Sequence, residues 1–163
     1  ASMLHDFLLP LLCNELFDRY FAFAQTPENV RRPLSDYERQ VQGWDHGLAA
    51  AQVMIDWSFP DDLICCVLLH HGGLSVLSDP EVGRSAAAAV AVAGLMPDVL
   101  HQPGDGLAEL MKLEQVWPQL HLTELAGKVQ TQLEAASAQA DRHFSLARRL
   151  DKAQVAQAAT AAQ

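Results

Sequence analysis

Two nearly unbroken apolar segments, His46 to Trp57 and Leu63 to Leu69, are each opened by acidic residues and closed by turn residues, and they restrict this chain to helices. Asp45 stands where a helix N-cap would accept a free backbone N–H. The Ala, Val, Met and Ile that follow cover too wide a face for a peripheral helix. Pro60, Asp61 and Asp62 begin the next segment, with the acids at its positive end, and Gly72-Gly73 stops it directly after His70-His71. No stretch alternates apolar and polar residues with period two, and no Asn-Gly hairpin signal occurs. The expectation is an all-α chain of about six to seven helices.

The remaining punctuation agrees. Leu4 to Ala24 reads as helix with a bend or fresh start at Pro10, because proline inside a helix removes a hydrogen bond. A polar connector from Gln25 to Pro33 leads to Ser35 and Glu38, spaced as a capping box, and Gly43 ends that short helix. Asp79 and Pro80 are expected to open a helix through the Ala-rich run Ala86 to Gly94, whose small residues permit close helix packing. After a Pro/Gly loop, Leu107 to Val116 and a long Leu122 to Leu150 complete the set. Val155 to Gln163, mostly Ala and Gln, reads as a frayed or disordered end.

Charge and cysteine content narrow the partners. With 11 basic against 20 acidic residues the formal charge is −9, which repels phosphate backbones and anionic membranes, so neither nucleic acid nor membrane is an expected partner. No run of apolar residues is long enough for a membrane span. Three cysteines, two of them the neighbours Cys65 and Cys66, which on a helix point about 100° apart, read as small hydrophobes in a reducing cytoplasm. Trp44 and Trp57 read as core aromatics.

The histidines are the one constellation with chemical content. His5-Asp6 pairs an imidazole with a carboxylate, His46 opens a buried helix, and His70-His71 closes another. Metal sites that hydrolyse phosphate esters require such groups to project from several helices around an open position for water. The structural alternative is ordinary: Asp6 and Asp45 as caps, and His71 bonded to the free carbonyls of a helix end.

Taken jointly and in order, Leu4-His5-Asp6-Phe7, then Tyr37-Glu38 leading to Gly43-Trp44-Asp45-His46-Gly47, then Trp57-Ser58-Phe59-Pro60 and Leu69-His70-His71, resemble the HDOD family over about Leu4 to Leu100. That family is a degenerate all-helical relative of the HD and HD-GYP phosphohydrolases. The resemblance implies an HD-like helical bundle over residues 1–137, constituting the C-terminal portion of such a domain, followed by a helical extension over 138–163. It carries over His5, Asp6, His46, His70 and His71 as a remnant metal site, with Glu38 and Trp44 as packing or supporting positions.

Two departures from the enzymes stand out. Gly72-Gly73-Leu74-Ser75 replaces the Gly-Tyr-Pro turn, and Ala89 to Gly94 holds no acid where the enzymes have their last metal-binding Asp. The resemblance therefore implies a non-catalytic regulatory domain of a bacterial signalling protein, without a cofactor. Its expected partner is a signalling protein or a fused receiver or kinase module, and exposed core surface could also pair two copies. The alternative it leaves is a phosphohydrolase of nucleotides or cyclic dinucleotides using Fe, Mn or Zn.

Overall fold

A computed structural model describes residues 4–96, 106–117, 119–136 and 146–161 of the chain. Among these residues there are nine α-helices, three short 3-10 turns and no strand. The all-α, HD-like expectation holds. The helix number exceeds six to seven because two expected helices are each divided.

The first division follows α1 (Leu9–Glu15) and precedes α2 (Phe17–Gln25). Pro10 sits in the first turn of α1, where its missing N–H is harmless, so it starts a helix as expected; His5 and Asp6 lie in the turn before it. Leu16 then leaves helical backbone at φ −114° and ψ 35°.

The helix α3 (Leu34–Gln42) begins at Pro33, and the expected capping box is not formed. Proline fixes the backbone two residues early, Ser35 is buried inside the helix, and Glu38 turns inward to other partners. Gly43 closes α3 in the left-handed conformation at φ 83°, as a C-terminal glycine should. Asp45 then caps α4 (His46–Asp56) by accepting from the Leu48 N–H at 2.8 Å, and its second oxygen is bonded by Arg39. Pro60 and the two acids open α5 (Asp61–Leu68) as expected. Asp79 does not start the Ala-rich helix. Its side chain accepts from the Glu81 and Val82 N–H groups at 2.8 and 3.0 Å and winds one 3-10 turn, while Ser85 caps α6 (Ala86–Ala93).

The chain divides into two compact units, Ala1–Gly104 and Asp105–Gln163. In the first, Ala50, Ala51 and Met54 of α4 interlock with Ile64 and Val67 of α5, joined by Leu4, Phe7, Leu8, Phe59 and Leu63. A second cluster packs Ala88 and Ala91 of α6 on Val76, with Leu69 and Val82 beside them; the small side chains permit this close approach. Trp57 corrects its expectation as a core residue: at the C-terminal cap of α4 it is 64% exposed, flanked by Phe7 and Phe59. Trp44 is half-buried.

The second unit contains α7 (Gly106–Val116), α8 (Leu122–Ala136) and α9 (Leu146–Ala161), with Leu110, Met111, Leu113, Leu122, Ala126 and Leu150 buried. Glu114 accepts from the Leu122 N–H at 2.8 Å where α8 begins. The single long helix expected from Leu122 to Leu150 is thus two, and the boundary expected at 137–138 lies outside the described residues. The end expected to fray from Val155 continues as α9 to Ala161, consistent with the helix propensity of its alanines. No helix among the described residues is long and apolar enough to cross a membrane.

Met54 lies in the first core with 1% of its surface exposed, so Met54→Ala should lower the unfolding free energy by about 2–5 kcal/mol in denaturant titrations. Trp57→Ala, at an exposed cap, should cost less than about 1 kcal/mol in the same experiment.

Candidate functional site

The helices α4 and α5 are joined by a short connection and share one core, so the chain doubles back on itself. The first residue of α4 therefore meets the residues that follow the last turn of α5. This brings His46 to His70 and His71, and the turn before α1 adds Asp6. One ligand atom from each of these four lies within 4.8 Å of the other three.

Asp6 Oδ1 stands 3.2 Å from His46 Nε2 and 3.3 Å from His70 Nε2, and His71 Nε2 lies 2.7 Å from His46 Nε2. His46 and His70 are buried at 1% and 3% exposure, whereas Asp6 and His71 are half-buried and form the open side. His5, carried over with the others, is not one of the four. It pairs with the second Asp6 oxygen at 3.0 Å and sets its ring edge-on to His70, so it borders the cluster. Gly47 matters for the packing of the rings: a Cβ there would come within 3.0 Å of His70 Cε1.

The outer nitrogens decide what the inner ones present. His70 Nδ1 faces the Val67 carbonyl at 2.6 Å, and since a carbonyl only accepts, Nδ1 carries the proton. His46 Nδ1 is fixed in the same way at 2.6 Å from Glu38 Oε2, which also accepts from the His46 backbone N–H at 3.0 Å. Both rings thus turn Nε2 toward Asp6. His70 Nε2, buried and without a hydrogen bond of its own among the described residues, opposes a carboxylate oxygen with a lone pair. Two facing lone pairs repel each other, and a positive charge close to both relieves that repulsion.

In the metal-free protein, a proton on His46 supplies much of that charge. Burial disfavours the imidazolium, but hydrogen bonds to Asp6 and Glu38 and their negative charges outweigh it, and the pKa is pushed up to about 9. A divalent ion is the other solution. The edges of a tetrahedron with arms of about 2.0–2.1 Å are about 3.3 Å, close to the two separations from Asp6, and imidazoles pinned by a carboxylate and a carbonyl are the usual supports of a metal ligand. The donor set of three imidazoles and one carboxylate fits Zn, Fe or Mn, with His71 needing to draw back from His46.

Tyr20, on α2, carried no signal in the sequence that would link it to the site. Its hydroxyl donates to Glu38 Oε1 at 2.5 Å, and burial together with Glu38 holds that hydroxyl protonated far above the usual tyrosine range. Glu38, which looked like a helix cap, is 2% exposed and instead connects Tyr20 to His46.

The sign of the pH effect follows from the raised His46 value. The folded state binds this proton more tightly than the unfolded chain, so its stabilisation is complete below about pH 6.5 and is lost as pH rises through about 9. Melting temperatures of the metal-free protein should fall across that window, and His46→Gln should flatten the slope. An unchanged slope in the variant would exclude His46 as the source.

Comparison with known proteins places the HDOD domain model on residues 1–72. No curated protein and no solved structure matches the chain.

Proposed function

We propose, from the premise that residues 1–72 of this chain belong to the HDOD family, a signalling-associated domain, that the protein is a non-catalytic regulatory module of a bacterial signal-transduction pathway. It works in the cytoplasm by holding a signalling partner or a fused receiver or kinase module. The observation that carries this reading is the composition of the site: a single carboxylate, Asp6, faces three imidazoles, and α6 supplies no acid. A hydrolytic centre keeps an open coordination position for water, and an ion held by all four of these donors in a tetrahedron would have none. Two of the four donors here are sealed in the core.

Exposed apolar side chains support the interaction role. Phe17 and Phe21 stack on each other along α2, which buries none of its residues, and Leu48, Ile55 and Trp57 stand out from α4 and its cap. Apolar groups of this size gathered on a surface are commonly covered by a partner, a second copy of the chain included.

The convergence of Asp6, His46, His70 and His71 favours a second reading, a metal-dependent phosphohydrolase of nucleotides or cyclic dinucleotides. A bound Zn, Fe or Mn ion would polarise a phosphoryl oxygen and lower the pKa of a water. In that reading His46 and His70 orient the ligand set through their fixed Nδ1 protons, and His5 holds the outer oxygen of Asp6.

Turnover separates the two. Protein supplied with Mn, Fe or Zn should hydrolyse phosphomonoesters and cyclic dinucleotides no faster than the free metal. Hydrolysis that disappears in Asp6→Asn would establish the enzyme instead. For the interaction role, sedimentation velocity at high micromolar concentration should show association that Phe21→Ser or Trp57→Ser weakens, and a clean monomer would count against pairing of two copies.

A further inference from the structure

We propose that Tyr20 is a positioning residue of the histidine cluster, acting through Glu38 to hold the His46 ring with Nε2 turned toward Asp6. The chain of contacts is continuous. The Tyr20 hydroxyl donates to one Glu38 oxygen at 2.5 Å, and the other oxygen accepts from both the backbone N–H and the Nδ1–H of His46. His46 Nε2 then meets Asp6 at 3.2 Å.

A buried carboxylate with a single anchored oxygen can swing about its terminal bond, whereas one anchored at both oxygens cannot. Tyr20 supplies the anchor that His46 does not. It comes from α2, whereas Glu38 belongs to α3 and His46 to α4, so the orientation of the ring is fixed by three helices. Nδ1 carries its proton whether the inner face of the ring holds a proton or a cation, and the Tyr20 anchor serves both states. The donor-set reading underlies only the zinc arm of the test below.

The test compares the whole wild-type chain with Tyr20→Phe, which removes the hydroxyl and keeps the ring. Tyr37→Phe is the control, because the Tyr37 hydroxyl donates to the Arg19 carbonyl at 3.1 Å and does not touch the cluster. Long-range proton–nitrogen NMR spectra of the metal-free protein report the His46 Nδ1–H and its exchange with water. The expected result is exchange about tenfold faster in Tyr20→Phe, as loss of a charge-assisted hydrogen bond implies, and unchanged in Tyr37→Phe. Zinc affinity should fall about tenfold in Tyr20→Phe, in the range for outer partners of a metal ligand.

Equal exchange rates in all three proteins would overturn the proposal. If the wild type takes up no zinc, the cation reading of the cluster fails and the exchange rates still decide the role of Tyr20. Should Tyr20→Phe not fold, 3-fluorotyrosine incorporated into Tyr37→Phe labels Tyr20 alone, since the chain has two tyrosines. Its more acidic phenol tightens the bond to Glu38. Slower Nδ1–H exchange is then expected, and an unchanged rate overturns the proposal.

Discussion

The contact between Glu38 and His46 is the constraint on which the rest of the site depends. Both groups are almost fully buried, at 2% and 1% exposure, and neither could be placed there without the other. A carboxylate and an imidazole removed from water lose several kcal/mol of solvation each as ions, recovered only when their hydrogen bonds are complete. Glu38 meets that condition with donors from Tyr20, from the His46 backbone and from the His46 ring. His46 meets it by turning its other nitrogen to Asp6 and His71. The start of α4 is thereby tied to α3 on one side and to the turn before α1 on the other.

Once that ring is fixed, the cluster organises around a positive charge. Asp6 Oδ1 is shared by two imidazole nitrogens, and the outer nitrogen of each ring is committed to an acceptor. A proton can fill the space, as the raised His46 value indicates, and so can a divalent ion. The two compete for the same lone pairs, so metal uptake here is coupled to proton release. An ion held by all four donors would have no open position for water, which is why the regulatory reading is preferred to hydrolysis.

Much of this was legible in the sequence, because helix boundaries are written in short-range chemistry. Pro10, Gly43, Asp45 and Pro60 act within one turn of their own position, and each does in the structure what its residue type dictates. The misreadings arose where two local signals competed or where tertiary partners outbid a local one. Ser35 and Glu38 have capping-box spacing, but Pro33 starts the helix and the Glu38 carboxylate finds Tyr20 and His46. Asp79 and Pro80 look like a helix start, but the Asp79 side chain is consumed by a single turn, and Ser85 caps the real helix. Trp57 is large and apolar, yet residue type does not tell on which side of a cap the ring will lie. The family resemblance of the motifs singled out His5, Asp6, His46, His70 and His71, and the fold brings the last four of them together with His5 at the border. Tyr20, eighteen positions from Glu38, followed from nothing local, since its link to the site exists only after α2 has packed near α3.

The most direct measurement of the central claim is calorimetric zinc titration of the chelator-treated protein at pH 7.5, in two buffers of different ionisation enthalpy. If the four donors surround a charge that His46 otherwise supplies, zinc should bind at one site and displace about one proton, and Asp6→Asn should abolish or greatly weaken the binding. Saturable binding without proton release, or none at all, would contradict the account.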